Sequence, residues 1–135
     1  MEINVLDFTE YPGPRYRRQG AASGEEYYVT VLNPAFAECY KKNEELVVCL
    51  DGTAGYPSSF LDEAFGELVY DFTKTVVESL LVIKTQRFTR HLDMIHNETF
   101  PQWEKKRTDR KEVVRSMSNC RLFYLEDKEL KEKCI

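Results

Sequence analysis

Leu46-Val47-Val48-Cys49-Leu50-Asp51-Gly52-Thr53-Ala54-Gly55-Tyr56-Pro57-Ser58-Ser59-Phe60-Leu61-Asp62-Glu63-Ala64-Phe65-Gly66 runs from one kind of periodicity into another. Leu46 to Leu50 is unbroken apolar sequence of strand length, the pattern of a strand covered on both faces and therefore central in a sheet. Asp51-Gly52 ends it, and Gly55 and Pro57 hold the next residues in a loop. Ser58 or Ser59 then caps a helix whose Leu61, Ala64, Phe65, Leu68 and Phe72 fall on one face. Gly66 inside that helix costs roughly 1 kcal/mol relative to alanine, which points to the close approach of another backbone.

Upstream, Ile3, Val5 and Phe8 mark residues 2–8 as a first strand. Pro12, Gly13, Pro14 and Gly20 keep Tyr11 to Ala22 out of any helix. Ser23-Gly24-Glu25-Glu26 is a capping box: the Ser23 hydroxyl accepts the Glu26 amide, and the Glu26 carboxylate reaches back to the Ser23 amide. The helix that follows carries the stripe Tyr28, Val31, Leu32, Ala35, Phe36 and Cys39 and ends near Lys42-Asn43. Pro34 predicts a kink, or a fresh start with Asn33 as cap. Downstream, Leu80 to Ile83 reads as a third buried strand, and residues 89–107 as an amphipathic helix through Leu92, Ile95, Phe100 and Trp103, kinked at Pro101. Asp109 to Arg115 reads as a short further helix, Leu122 to Leu125 as a last edge strand, and the charged tail from Glu126 as short helix or frayed chain.

Strands alternating with helices imply parallel pairing through right-handed crossovers. The expected fold is α/β: one layered domain over residues 1–135, a mainly parallel or mixed sheet of about four strands with helices packed on it. In such folds the loops leaving the carboxyl ends of strands share an edge where ligands bind. That edge collects the Pro12 to Ala22 loop and the Gly52 to Pro57 loop.

Apolar residues make up 42% and charged residues 31% of the 135, which suits one ordinary core and excludes disordered, collagen-like and coiled-coil chains. No window approaches ~18 uncharged apolar residues and no basic segment opens the chain, so a soluble cytoplasmic protein without membrane association is expected. Cys39, Cys49, Cys120 and Cys134 form no CxxC and flank no histidine, which predicts buried reduced thiols and no zinc. The net charge of −4 is zoned: residues 44–83 hold eight acids and one lysine, whereas residues 84–115 hold nine bases and five acids. The zones read as solvated faces of opposite sign or as a polar association surface. Acids dilute the basic stretch, so nucleic acid is not expected as a partner.

Arg15, Arg17 and Arg18 precede the Ser23-Gly24 helix start, where guanidinium groups and free amides could converge on a phosphate or nucleotide. GxxxxGK[ST] is absent, so the loop is no P-loop. A hydroxyl at Ser58 or Ser59 is either a cap or a phosphorylation site, since a phosphate there would meet the helix amides. Asp51, Asp62 and Glu63 are the best carboxylates for Mg²⁺, but acids belong in a first helical turn for dipole reasons alone, and no metal or other cofactor is expected. His91 and His96, five residues apart, do not share a helix face as HExxH requires. With so little acid/base material, no independent enzyme is expected.

Pro12-Gly13-Pro14-Arg15, Gly20 before Ser23-Gly24-Glu25-Glu26, Leu50-Asp51-Gly52, Gly55-Tyr56 and above all Ser58-Ser59-Phe60-Leu61-Asp62-Glu63-Ala64-Phe65-Gly66 together resemble the STAS-like domain family of unknown function. The resemblance covers roughly residues 1–85, and the rest only in element order. That family is similar to STAS domains, the fold of bacterial anti-sigma factor antagonists. The resemblance implies a regulatory protein-interaction module, monomeric or weakly dimeric, that docks an ATP-binding kinase-like partner through the crevice of Asp51, Tyr56, Phe60, Asp62 and Glu63. It also implies phosphorylation at Ser58 or Ser59. The antagonists carry Asp-Ser-Ser-Gly at this loop, whereas Pro57 precedes and Phe60 follows the serines of this chain. Phosphate or nucleotide binding by Arg15, Arg17, Arg18, Ser23 and Gly24 is the alternative.

Overall fold

Strands β1 (Glu2–Asn4), β2 (Leu46–Cys49) and β3 (Leu81–Lys84) pair in parallel in that order, with β2 in the middle as its apolar run requires. The computed structural model describes residues 1–135. The register sets Ile3, Val48 and Ile83 side by side on the face that meets the helices, with Leu46 and Leu81 in the next row. The opposite face carries the rows Glu2, Val47, Val82 and Asn4, Cys49, Lys84, and Val82 is 39% exposed. The sheet is therefore covered on one face only, against the expectation of cover on both. β1 also stops short of the expected strand: α1 (Val5–Phe8) turns Val5 into the core, and Thr9 N–H bonds Val5 O.

Helix α4 (Ser58–Phe72) lies at the centre, with eleven of its fifteen residues buried. It packs on α2 (Gly24–Tyr27), on α7 (Phe100–Thr108) and on the C-terminal strands. Gly24 is needed because a Cβ there would strike the Phe60 carbonyl. Gly66 answers to the Trp103 indole, not to the expected neighbouring backbone. One cluster of 27 buried apolar residues joins the sheet, α4 and the flanking helices.

Both prolines inside helical sequence act in the same way. A π-turn at Tyr28–Leu32 joins α2 to α3 (Asn33–Lys42), which has Pro34 in its first turn. Another at Ile95–Thr99 joins α6 (Thr89–Met94) to α7, where Pro101 takes the same place. Proline has no N–H and its ring crowds the carbonyl four residues back. One extra residue in the turn before it relieves both problems and lets the rod continue. The fresh start expected at Asn33 is thus replaced by a continuous helix, and Asn33 is helical and caps nothing. Its buried amide instead donates to Tyr28 Oη (2.9 Å) and Phe123 O (2.9 Å) and accepts from Phe123 N (2.9 Å).

Residues 74–80 form a helix, α5 (Lys74–Leu80), capped by the Thr73 hydroxyl. Residues 109–120 hold no helix, in place of the short one expected, because Arg110 turns left-handed at φ 56°. The last expected strand, β4 (Arg121–Glu126), is no edge of the main sheet. It pairs antiparallel with β5 (Glu129–Cys134), where helix or frayed chain was expected. Asp127 and Lys128 connect them with φ of 52° and 67°, the two left-handed residues of a tight hairpin, and so short a turn can only return antiparallel. The strands thus divide into three parallel and two antiparallel within the expected α/β class. All four cysteines are free, but only Cys39 is buried and Cys134 is exposed. No helix is long and apolar enough to cross a membrane.

Gly66→Ala is expected to destabilise the fold by about 2 kcal/mol, the usual range for overpacking, and to shift the emission of Trp103, the single tryptophan. Chemical denaturation and fluorescence read both effects. Trp103→Phe in the same chain should recover part of the loss, since the indole edge is what the new methyl meets.

Candidate functional site

The Pro12 to Ala22 loop is tied to the start of α2 by its own backbone. Gly13 N donates to Ala22 O (2.8 Å), Gly24 N to Pro14 O (2.9 Å) and Glu25 N to Arg15 O (3.0 Å). This docking aims Arg15 at the first turns of α4, where its Nη1 donates to Asp62 Oδ2 (2.8 Å) and Glu63 Oε1 (3.0 Å). Asp62 also accepts from Thr99 Oγ1 (3.0 Å) and Trp103 Nε1 (3.3 Å). The loop, α4 and the 89–108 rod thereby enclose a cleft of about 240 Å³, lined chiefly by Arg15, Ser58, Ser59, Asp62, Thr99 and Gln102. A further hollow of about 160 Å³ continues it past Tyr16, Glu63, Trp103 and Lys106.

Ser58 is exposed and Ser59 half-buried. Neither is the expected cap: Pro57 holds the cap position with no side-chain bond, so both hydroxyls stand on the first two helical residues. Phe60 is fully buried and Tyr56 is 8% exposed. Tyr56 Oη donates to Leu50 O (2.6 Å), and its ring packs on Phe60 and Phe88. These two aromatics belong to the core, not to the surface where a partner was expected to meet them. Asp51 accepts from Thr85 Oγ1 (2.6 Å), Gln86 N (2.7 Å) and Arg87 N (3.2 Å), and these bonds hold its pKa below the ordinary value. It clamps the turn after β3, whereas Asp62 and Glu63 face Arg15. No group of His, Cys, Asp and Glu is arranged to hold a metal ion.

The expected anion cradle is filled from within. Arg15 is engaged by two carboxylates, Gly24 N by Pro14 O, and Glu26 N by the buried Ser23 hydroxyl (3.0 Å). The return bond of the capping box slips by one residue, with Glu26 accepting from Ala22 N (3.0 Å) instead of Ser23 N. Arg17 and Arg18 are exposed, with Arg17 Nε 3.5 Å from Glu26 and the Arg18 guanidinium over the Tyr16 ring. The anion at this place is Glu25, which accepts from Arg17 N (2.9 Å), Ser116 N (2.6 Å), Met117 N (3.1 Å) and the Ser116 hydroxyl. Burial opposes its charge, but those donors outweigh burial and lower its pKa.

Sequence reasoning followed the apolar stripe of α4 and missed the acidic one. Glu63, Glu67 and Asp71 recur every four residues and are 1%, 0% and 4% exposed. Four-residue spacing of acids inside an otherwise apolar helix was the signal available. Arg115 reaches Glu67 (3.2 Å) and Asp71 (3.8 Å), Lys133 reaches Asp71 (3.7 Å), and Tyr28 donates to Asp71. Burial raises the pKa of all three. Glu63 Oε2 and Glu67 Oε2 have no donor, and Arg115 Nη2 stands 3.2 Å from Glu67 Oε1 without hydrogen-bond alignment. A proton held by Glu67 and shared with Glu63 satisfies this pair, with Arg15 favouring charge on Glu63.

With this geometry the strands and helices can be compared with known families. Residues 30–86 match the family model of a STAS-like domain of unknown function (DUF4325). Over these residues the chain is similar to that family. The matched part spans α3 to β3 and includes Ser58, Ser59 and the buried Glu63, Glu67 and Asp71, while Arg15, Trp103, Arg115 and Lys133 fall outside it. No curated protein and no solved structure matches the chain.

Arg15→Ala strands Glu63 without its counter-charge and is expected to cost about 2 kcal/mol, below the usual range for a broken buried pair because 29% of the Arg15 side chain is exposed. Urea denaturation measures it. Glu67 is held protonated well above its ordinary value of 4.5, first by burial and then by the Glu63 charge. A raised folded value contributes stability that is whole below about pH 4.5 and is lost as pH climbs through the folded value. Glu67→Gln cannot ionise, so its denaturation midpoint should match the wild type at low pH and exceed it as pH rises. Parallel curves would show that folding does not raise the Glu67 value.

Proposed function

We propose that this STAS-like domain is a regulatory protein-interaction module whose docking face is the exposed start of α4 and the adjoining cleft. Its partner is an ATP-binding kinase-like protein that phosphorylates Ser58 or Ser59. The observation that carries the reading is the uncapped pair of hydroxyls opening on a cleft whose one deep cation, Arg15, is held by Asp62 and Glu63. In the transfer, serine Oγ forms a bond to the γ-phosphorus, the bond from that phosphorus to the β,γ-bridging oxygen breaks, and the hydroxyl proton passes to a base of the partner. The product carries up to about two further negative charges at a helix start, where amides and dipole stabilise them.

The same charge stands within one helical turn of Asp62 and Glu63 and competes with them for Arg15. An Arg15 drawn toward the phosphate loosens the loop it anchors, so the modification alters the shape of the docking face as well as its charge. This supports a module that binds its partner in one phosphorylation state and releases it in the other.

Mixing the purified chain with its kinase-like partner and ATP should give phosphate on Ser58 or Ser59 by mass spectrometry and a complex by size exclusion. Neither product forming would overturn the reading. Ser59→Ala and Ser59→Asp should both fold, since neither residue replaces a cap. Roughly tenfold different partner affinities between them, about 1.4 kcal/mol, are expected if Ser59 is the switch. Equal affinities for this pair, and for the same pair at Ser58, would remove the switch.

A further inference from the structure

β1 forms an edge of the parallel sheet, with β2 on one side and no strand on the other. Val47 N donates to Met1 O (2.8 Å), so the ladder turns the Ile3 peptide groups toward β2 and leaves the Glu2 N–H and C=O facing outward. Along this edge runs a groove of about 340 Å³ lined by Glu2, Ile3, Asn4, Asp7, Phe8 and Val31. Its apolar floor is the half-buried Ile3, Phe8 and Val31. The floor is well supported, because the Phe8 ring packs edge-on against buried Tyr27 (5.1 Å) and Val31 belongs to the π-turn. The rim carries the exposed acids Glu2 and Asp7 and the amide of Asn4, and no basic side chain lines the groove. Met1 and Leu6, 46% and 43% exposed, lie beside these residues in sequence.

We propose that this edge binds an extended segment of a partner protein with alternating apolar and basic residues, which adds to the sheet as a further strand beside β1. Outward peptide groups supply the hydrogen bonds, the apolar floor takes every second side chain, and the acidic rim takes the basic ones. A second copy of this chain fits poorly, because pairing β1 with β1 brings two acidic rims together with no basic side chain between them, and like charges repel. The groove shares no lining residue with the cleft at Ser58 and Ser59, so this inference stands apart from the phosphorylation reading.

The test uses the full chain and two fluorescein-labelled synthetic peptides, one alternating valine with lysine and one alternating valine with glutamate, read by fluorescence anisotropy. The lysine peptide should bind and the glutamate peptide should not. Glu2→Lys with Asp7→Lys changes only exposed side chains, should leave the melting temperature unchanged, and should weaken the lysine peptide by roughly tenfold while admitting the glutamate peptide. Glu2→Pro, which deletes the outward N–H, should bind the lysine peptide more weakly than Glu2→Gln, which keeps it. Binding of neither peptide, or lysine-peptide binding indifferent to the charge reversal, would overturn the proposal. So would concentration-dependent self-association that Glu2→Pro abolishes, which would make a second copy the occupant.

Discussion

Helix α4 is surrounded by protein and still carries three buried carboxylates, Glu63, Glu67 and Asp71, and the rest of the molecule is arranged around that conflict. A charge taken out of water must be paired or neutralised. Arg15 arrives from the N-terminal loop, Arg115 and Lys133 arrive from the C-terminal segment, and burial raises the pKa of Glu67. Such pairs add little net stability, because desolvation cancels most of the attraction, but breaking one is costly. They therefore act chiefly as position markers, fixing where two irregular segments cross the central helix. Glu25 does the same for residues 115–117 with neutral donors in place of a cation.

The part of the chain matched to the STAS-like family contains the buried acids and none of their basic partners. The central α3 to β3 unit thus depends on segments beyond the match to neutralise it. That dependence ties the candidate site to the fold: the residue that closes the cleft, Arg15, is also the counter-charge of a core carboxylate. Modification at the start of α4 then reaches the core through one side chain, without any long chain of intermediates.

Much of the scaffold was legible locally. The run Leu46 to Leu50 located the central strand, the Ser23 box located the start of α2, and the stripe from Leu61 to Phe72 gave α4 its length and buried face. The readings that failed did so where neighbours outweighed local preference. Ser58 and Ser59 look like caps, yet Pro57 takes the cap position. Gly66 signals close approach, but only packing reveals that the neighbour is Trp103. Pro34 and Pro101 signal interruption, but a π-turn absorbs each, because both rods bury apolar faces on either side of the proline. The polar tail gives a weak periodic signal, and its hairpin rests on two left-handed residues and on contacts made by Asn33, some ninety positions away.

The sequence by itself determined the α/β class, the parallel order around β2 and the presence of hydroxyls at the start of the central helix, since periodicity and turn chemistry act over a few residues. Only the tertiary structure decided which charges meet. Arg15 and Asp62 lie 47 positions apart, and no local rule brings them together. The same packing put Phe60 and Tyr56 in the core, left Ser58 in solvent and closed the arginine loop on carboxylates instead of an external anion, because burial and pairing are properties of the assembled fold.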